Sequence, residues 1–354
     1  MKQIAIVGSQ GIPANYGGFE SMVENIVGEN ASADIHYTVF CSGVDMPERL
    51  HEYKGCTLKY INVKANGMLS VIYDVVCMMH TFRGYDTILV LGVSGCIFLP
   101  VLKMFSKNRL VVNIDGLEHK RDKWGWFARW ILRFSERMAV RCADVIIADN
   151  KGIQDYVSEV YGKPSQLIAY GGNHVIREID PEYKSRILAN YGLTDTSYAV
   201  CVCRIEPENN CHISLDAFSK SDKHIVFIGN WSHSEYAKKL KKQYSSYPNI
   251  HLLDAIYDLD ILYVIRSNAS LYVHGHSAGG TNPSLVEAMF FGMPIVAYDC
   301  VYNRATTHEK AYYFSDSKDL LSLLNQELDG TPMRSIAEEN YTWRKIAQQY
   351  EATY

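Results

Sequence analysis

Chemistry concentrates first in Gly275-His276-Ser277-Ala278-Gly279-Gly280-Thr281-Asn282-Pro283-Ser284-Leu285-Val286-Glu287-Ala288-Met289. The glycines permit a tight loop that brings backbone close to a ligand. Ser284 is placed to cap the helix that follows, with Glu287 three residues on, the spacing of a capping box. Backbone N–H groups and a helix N-terminus then meet at one point, which favours anions and phosphate above all. A second concentration is Asp115-Gly116-Leu117-Glu118-His119. Asp115, Glu118 and His119 are the residue types that do acid–base or hydroxyl-binding work.

These residues need elements to hold them. An apolar run from Ala269 to Val273 reads as a buried strand leading into the first loop, and Ile295 to Tyr298 as the strand after its helix. Arg109 to Ile114 reads as a strand ending at Asp115, and ligands of open α/β sheets bind at the carboxyl ends of strands. At the start, Ile4 to Gly8 feeds the loop Ser9 to Glu20 and a helix with Met22, Val23, Ile26 and Val27 on one face. That loop is too long for a G-x-G-x-x-G fingerprint and contains Pro13, so it reads as a mobile cover over a ligand. Further strands fit His36–Phe40, Leu58–Val63, Thr87–Leu91, Asp144–Ala148 and Gln166–Ala169, then Tyr198–Val202, His224–Ile228 and Ile250–Leu252. The pattern predicts two successive α/β series, with domains over 1–175 and 176–335 and a terminal helical segment over 336–354.

Composition narrows the class. A chain of 354 residues has room for two domains with real cores. A net charge of −4 argues against general nucleic-acid binding. The nine cysteines are scattered, with Cys201 and Cys203 inside a strand pattern, and read as reduced core thiols of a cytosolic protein. The N-terminus lacks the pattern of a signal peptide. The apolar run from Thr87 to Phe105 is broken by Gly92, Ser94, Gly95 and Pro100, which fits a strand, turn and short helix better than a membrane span.

One helix stands apart. Trp124, Trp126, Trp130 and Phe134 interleave with Arg129, Arg133 and Arg137 at helical spacing. Basic plus aromatic at this period is the pattern of an interfacial helix on anionic lipid. The other reading is a core-facing aromatic stripe with a solvated basic face. We favour the membrane, because Trp and Arg are costly residues to leave on an idle surface.

Taken in order, these stretches resemble the family 4 retaining glycosyltransferases of the GT-B fold, and within them the rhamnosyltransferase-like branch of bacterial polysaccharide synthesis. The matching pieces are Gly11-Ile12-Pro13 with Tyr16-Gly17-Gly18-Phe19-Glu20, Asp115-Gly116-Leu117-Glu118 with Lys120-Arg121, and Tyr170-Gly171-Gly172. Then come Arg204 with Glu206-Pro207-Glu208-Asn209-Asn210, His274-Gly275-His276, Gly279-Gly280-Thr281-Asn282-Pro283-Ser284 with Glu287, and the Tyr341-Thr342-Trp343 segment.

The resemblance implies an α/β protein of two doubly wound Rossmann-like domains facing a cleft, with the C-terminal helix crossing back to the first domain. It implies a nucleotide-sugar donor on the second domain. Arg204 would pair the diphosphate, and Gly280, Thr281, Asn282, Pro283 and Ser284 would lie on the distal phosphate and sugar. Glu287 would hold the ribose, Asp254, Ile256 and Tyr257 would lie near the base, and Asn209 and His276 would complete the site. Gly17 and Gly18 would approach the phosphate, while Tyr16, Glu20, Asp115, His119, Lys120 and Arg121 would face the acceptor. Arg204, Asp115 and Glu118 would carry the chemistry.

Two departures stand out. The first glutamate of the family's E-x7-E motif falls at position 279, which is glycine, moving sugar recognition onto backbone and Asn282. The lysine that many relatives carry a few residues beyond the arginine gives way to Asn209-Asn210. The implied reaction is transfer of L-rhamnose from dTDP-rhamnose, with retention, to a hydroxyl of a polyprenyl-linked oligosaccharide. The implied place is the inner face of the plasma membrane, with no metal or other cofactor. The alternatives are a UDP- or GDP-hexose donor, a sugar-nucleotide 2-epimerase, or a scaffold without activity.

Overall fold

A computed structural model describes residues 1–354 except 15–16, 31, 47, 118, 120–124 and 195. Two compact units result: Met1–Tyr170 with Trp343–Tyr354, and Gly171–Thr342.

The first unit holds β1 (Lys2–Val7), β2 (Ile35–Ser42), β3 (Glu52–Tyr53), β4 (Cys56–Ile61), β5 (Thr87–Leu91), β6 (Arg109–Asn113), β7 (Val145–Ala148) and β8 (Gln166–Leu167). They form one sheet in the order β3-β4-β2-β1-β5-β6-β7-β8. Every pairing is parallel except the short hairpin of β3 with β4. Parallel strands covered on both faces need continuous apolar runs, and Ile4, Ala5, Ile6 and Val7 of β1 are fully buried. The helix Gly18–Gly28 buries Met22, Val23, Ile26 and Val27 against this sheet, as the i, i+4 spacing predicts. The helix Trp343–Glu351 joins the same core through Trp343, Ile346, Ala347 and Tyr350. Arg109 Nε donates to the Thr353 carbonyl at 2.6 Å and ties the chain end to β6.

The second unit holds β9 (Tyr198–Val202), β10 (His224–Ile228), β11 (Ile250–Leu253), β12 (Leu271–His274), β13 (Ile295–Tyr298) and β14 (Tyr312–Phe314). Their order is β11-β10-β9-β12-β13-β14, all parallel. The strand order reverses between β9 and β12 here, and between β1 and β5 in the first unit. Ligands of doubly wound sheets bind at such reversal points, outside the carboxyl ends.

The division of the chain differs from the expected one at both ends. The first unit closes at Tyr170, not 175, because the Gly171–Val175 segment packs on the second unit. Gly172 lies so close to the helix Pro283–Met289 that a Cβ would come 3.0 Å from the Glu287 amide nitrogen. The terminal segment rejoins the first unit at Trp343, not at 336, because the helix Thr331–Asn340 buries Met333, Ile336 and Ala337 in the second.

Candidate functional site

In the second unit the loops after β9 and β12 are laced together at the reversal point. Asn210 Nδ2 donates to the Gly275 carbonyl at 2.9 Å, and Ser277 N donates to the Glu208 carbonyl at 3.0 Å. His276 Nδ1 and Asn209 Oδ1 lie 2.7 Å apart, both residues buried. A Cβ on Gly275 would fall 2.1 Å from the Asn209 carbonyl oxygen. Glycine is therefore required by the neighbouring loop itself. Asn209 of one motif and Gly275 and His276 of another thus form one surface.

Arg204 stands at the edge of that surface. Its side chain is 46% exposed, and Glu208 Oε1 lies 3.5 Å from it, too loose to hold it. The guanidinium is available to an anion.

The helix after the loop corrects the capping expectation. Asn282, not Ser284, is the N-cap: its Oδ1 accepts from Ser284 N at 3.0 Å and from Ser284 Oγ at 2.7 Å. The reason is Pro283, which lacks an N–H and suits the first helical position. The Asn282 carbonyl oxygen of the side chain is thereby spent on the cap. The helix runs only seven residues, Pro283–Met289, so its dipole is small.

Gly279 has φ +83°, the left-handed region. That explains the missing glutamate: an L side chain is strained there, so glycine at 279 is a backbone requirement. Thr281 is buried, while Gly280 and Pro283 are partly covered. Asp254, Ile256 and Tyr257 follow β11, two strands away from β9, and Asp254 and Tyr257 are largely exposed.

Glu287 is held from beneath by a residue that the sequence did not single out. Arg266, 1% exposed at the end of the helix Leu259–Ser267, donates through Nη1 to Glu287 Oε2 at 2.7 Å. Burial works against the guanidinium charge, but Glu287 and Tyr272 outweigh it and hold its pKa above the ordinary value. On the other side, His174 Nε2 lies 3.6 Å from Glu287 Oε1.

In the first unit, Asp115 sits just past β6 with φ 56°, unusual for a residue other than glycine. Its N–H donates to Asn113 Oδ1 at 2.9 Å, and Asn113 Nδ2 donates to Tyr350 Oη of the C-terminal helix at 2.7 Å. Strained backbone of this kind gathers at functional sites. His119 is fixed as well: Nδ1 lies 2.9 Å from Glu136 Oε2, while Tyr156 and Tyr161 donate to Glu136 Oε1 at 2.8 and 2.7 Å. Burial alone would push the Glu136 carboxyl up, but His119, Tyr161 and Tyr156 outweigh it and hold it below the ordinary range.

Glu20, expected to face the acceptor, is buried, and its Oε1 accepts from Gln10 N at 2.7 Å. Burial raises its pKa, partly offset by that amide. A Cβ on Gly17 would fall 1.9 Å from Glu20 Oε2, so Gly17 makes room for Glu20. The loop is also anchored where a mobile cover was expected: Ser9 and Ile12 are buried, and Ala14 N donates to Glu24 Oε2 at 2.6 Å. Tyr16, Glu118, Lys120, Arg121 and Trp124 lie outside the described residues.

The basic–aromatic helix spans Trp126–Cys142. Its aromatic row points outward, not into the core: Trp126 is 82% and Trp130 62% exposed. Trp130 stacks between Phe127 and Phe134 at centroid distances of 6.4 and 6.0 Å, and Arg133 and Arg137 lie exposed beside them. Arg129 is half-buried. The adjoining helix Leu99–Phe105 exposes Val101, Met104 and Phe105. Among the described residues no helix is long and apolar enough to cross a membrane, and no group of three His, Cys, Asp or Glu is placed to hold a metal ion. All nine cysteines are free thiols, most of them buried.

Comparison with known proteins assigns the second unit. Residues 185–340 match the family described as glycosyl transferases group 1. Residues 185–340 are thus similar to a group 1 glycosyl transferase domain. Residues 1–173 match a domain of unknown function, DUF1972. Sucrose-phosphate synthase of Thermosynechococcus elongatus is similar over 99% of this chain and 98% of its own, at 16% identity and a TM-score of 0.81. HepE of Anabaena, solved with UDP-glucose, covers 100% of this chain and 99% of its own at 16% identity and a TM-score of 0.78. MnaA of S. aureus, solved with UDP, covers 99% and 95% at 13% identity and a TM-score of 0.65. At such identities the likeness is one of fold, and the two Rossmann-like units are those of the GT-B fold. No curated protein sequence matches the chain.

Proposed function

We propose that the protein is a family 4 retaining glycosyltransferase that moves a hexosyl unit from a nucleotide sugar to a hydroxyl of a lipid-linked oligosaccharide. The observation that carries this is the laced pair of loops at the β9–β12 reversal point, with an available Arg204 at its edge. Loop amides and a planar five-donor cation suit a diphosphate. As the glycosidic bond breaks, charge grows on the leaving diphosphate; Arg204 and loop amides stabilise it. That leaving group takes the acceptor proton, and on the first unit Asp115 and His119 are our candidates for binding the acceptor. The donor we favour is dTDP-L-rhamnose, on the glycine at position 279 and the asparagines at 209 and 210. The nucleotide of HepE and MnaA makes a UDP-hexose the second choice. The acceptor is a polyprenyl-linked glycan, met where the outward Trp126–Trp130 face rests on anionic lipid on the cytoplasmic side of the membrane.

A thermal-shift panel of dTDP-, UDP- and GDP-sugars tests the reading. One donor class should raise the melting temperature, and the same donor should be consumed only when a lipid-linked acceptor is added. A donor isomerised without any acceptor would point to an epimerase instead, and no shift with any of them would sink the proposal.

A further inference from the structure

We infer that Arg266 is a positioning residue that fixes Glu287 so that a single carboxylate oxygen, Oε1, is presented to a hydroxyl of the bound nucleoside. The inference rests on the nucleotide-sugar reading and adds to it a residue outside every motif above. Arg266 is buried to 1% exposure, stacks at 5.9 Å over the Phe291 ring, and lies in the last turn of the helix Leu259–Ser267. A buried guanidinium is costly unless paired, and a Met or Leu of similar volume would fill the space without that cost. Its retained charge points to a task. Glu287 Oε2 is taken by Arg266 Nη1 at 2.7 Å, which leaves Oε1, beside His174 at 3.6 Å, as the oxygen that a ligand meets. The guanidinium keeps its proton at any working pH. Among the described residues Arg266 Nε and Nη2 have no hydrogen-bond partner, and the Nη1 bond to Glu287 is its firm anchor beside Tyr272. The dependence runs both ways: without Arg266, the carboxylate turns freely and presents either oxygen or neither.

A carboxylate held by one oxygen selects ligands by hydroxyl donors. The test measures binding of UDP and dTDP to the full chain by calorimetry, each against its dideoxy form lacking the sugar hydroxyls. A hydrogen bond to a charged acceptor predicts that the wild type prefers the hydroxylated form by roughly ten- to a hundredfold. Arg266→Met should bring that ratio close to one while leaving affinity for the dideoxy form in place. Arg266→Lys, which keeps the charge and one donor, should recover part of the ratio and covers the case in which the methionine variant does not fold. A ratio unchanged in Arg266→Met, or a loss that falls equally on both forms, overturns the positioning role. Failure of the wild type to bind either UDP or dTDP overturns the parent reading instead.

Discussion

Gly275 sits against Asn209 so closely that a Cβ on the glycine would come within 2.1 Å of the Asn209 carbonyl oxygen. The loops after β9 and β12 share this contact, so neither has a shape of its own. Gly275→Ala must push the Asn209 backbone away and break the Asn210–Gly275 and His276–Asn209 contacts with it. Overpacking of this kind costs about 1–3 kcal/mol. Chemical denaturation should show that loss, and nucleotide-sugar affinity should drop at least tenfold.

Arg204 behaves differently. It is nearly half exposed and only loosely opposite Glu208, so its removal should hardly touch stability. Arg204→Ala should melt within about 2 °C of the wild type, because surface pairs contribute about 0–1 kcal/mol. Turnover should fall by about a hundredfold or more, the size seen when one transition-state donor is removed. Near-normal turnover in steady-state assays would remove Arg204 from the diphosphate.

Position 279 offers a third test. Restoring the family glutamate there should fail, because φ at 279 is +83°. Left-handed backbone costs an L residue about 1–2 kcal/mol. Gly279→Glu should lower stability by about that amount and bring no gain with glucose or rhamnose donors. A gain in turnover would show that the loop rearranges easily.

Much of this was legible in the sequence, and the reason is physical. Buried parallel strands must be apolar on both faces, so β1, β5, β9, β10 and β13 stand out as runs. β3 and β14 escaped because a two-residue edge strand and Tyr312–Phe314 are too short to have a period. Glycine loops also announce themselves, since no other residue tolerates such approach. Arg266 and Glu136 do not. An arginine in a last helical turn looks like a favourable charge at the C-terminus. A glutamate between Arg133 and Arg137 looks like part of a solvated face. Only the packing shows that both are buried and that each holds a predicted site residue, Glu287 and His119. Ser284 misled because the proline before it moves the cap to Asn282.

The outward aromatic face predicts a lipid phenotype. Trp126 and Trp130 are 82% and 62% exposed, so their loss leaves no cavity. The double change of Trp126 and Trp130 to Ser should leave melting within about 2 °C, as expected away from a core. Co-sedimentation with vesicles rich in phosphatidylglycerol should fall severalfold, and added salt should weaken the wild type in the same assay. Vesicle binding that survives the double change would show that this face does not carry it.

Two buried carboxyls of the first unit give opposite pH dependences. Asp74 is packed against Gly95, and burial pushes its pKa up from 3.8 to about 8, with only the Gly95 amide opposing. Folding therefore takes up a proton between those values. Stability falls as pH rises from about 4 to about 8, by at most about 1.4 kcal/mol per pH unit from this group, and then levels off. Glu136 is depressed below 4.5 instead, because His119, Tyr161 and Tyr156 outweigh its burial. Its contribution is present above the ordinary carboxylate range and is lost as pH falls through the depressed value. Asp74→Asn should flatten the alkaline side of the stability profile and make the protein more stable than wild type at pH 8. Glu136→Gln should flatten the acid side and destabilise at neutral pH, by about 1–3 kcal/mol, since two tyrosine hydroxyls and His119 lose a charged acceptor. Urea melts from pH 4 to pH 9 separate the two, and an alkaline slope unchanged in Asp74→Asn would place the proton uptake elsewhere.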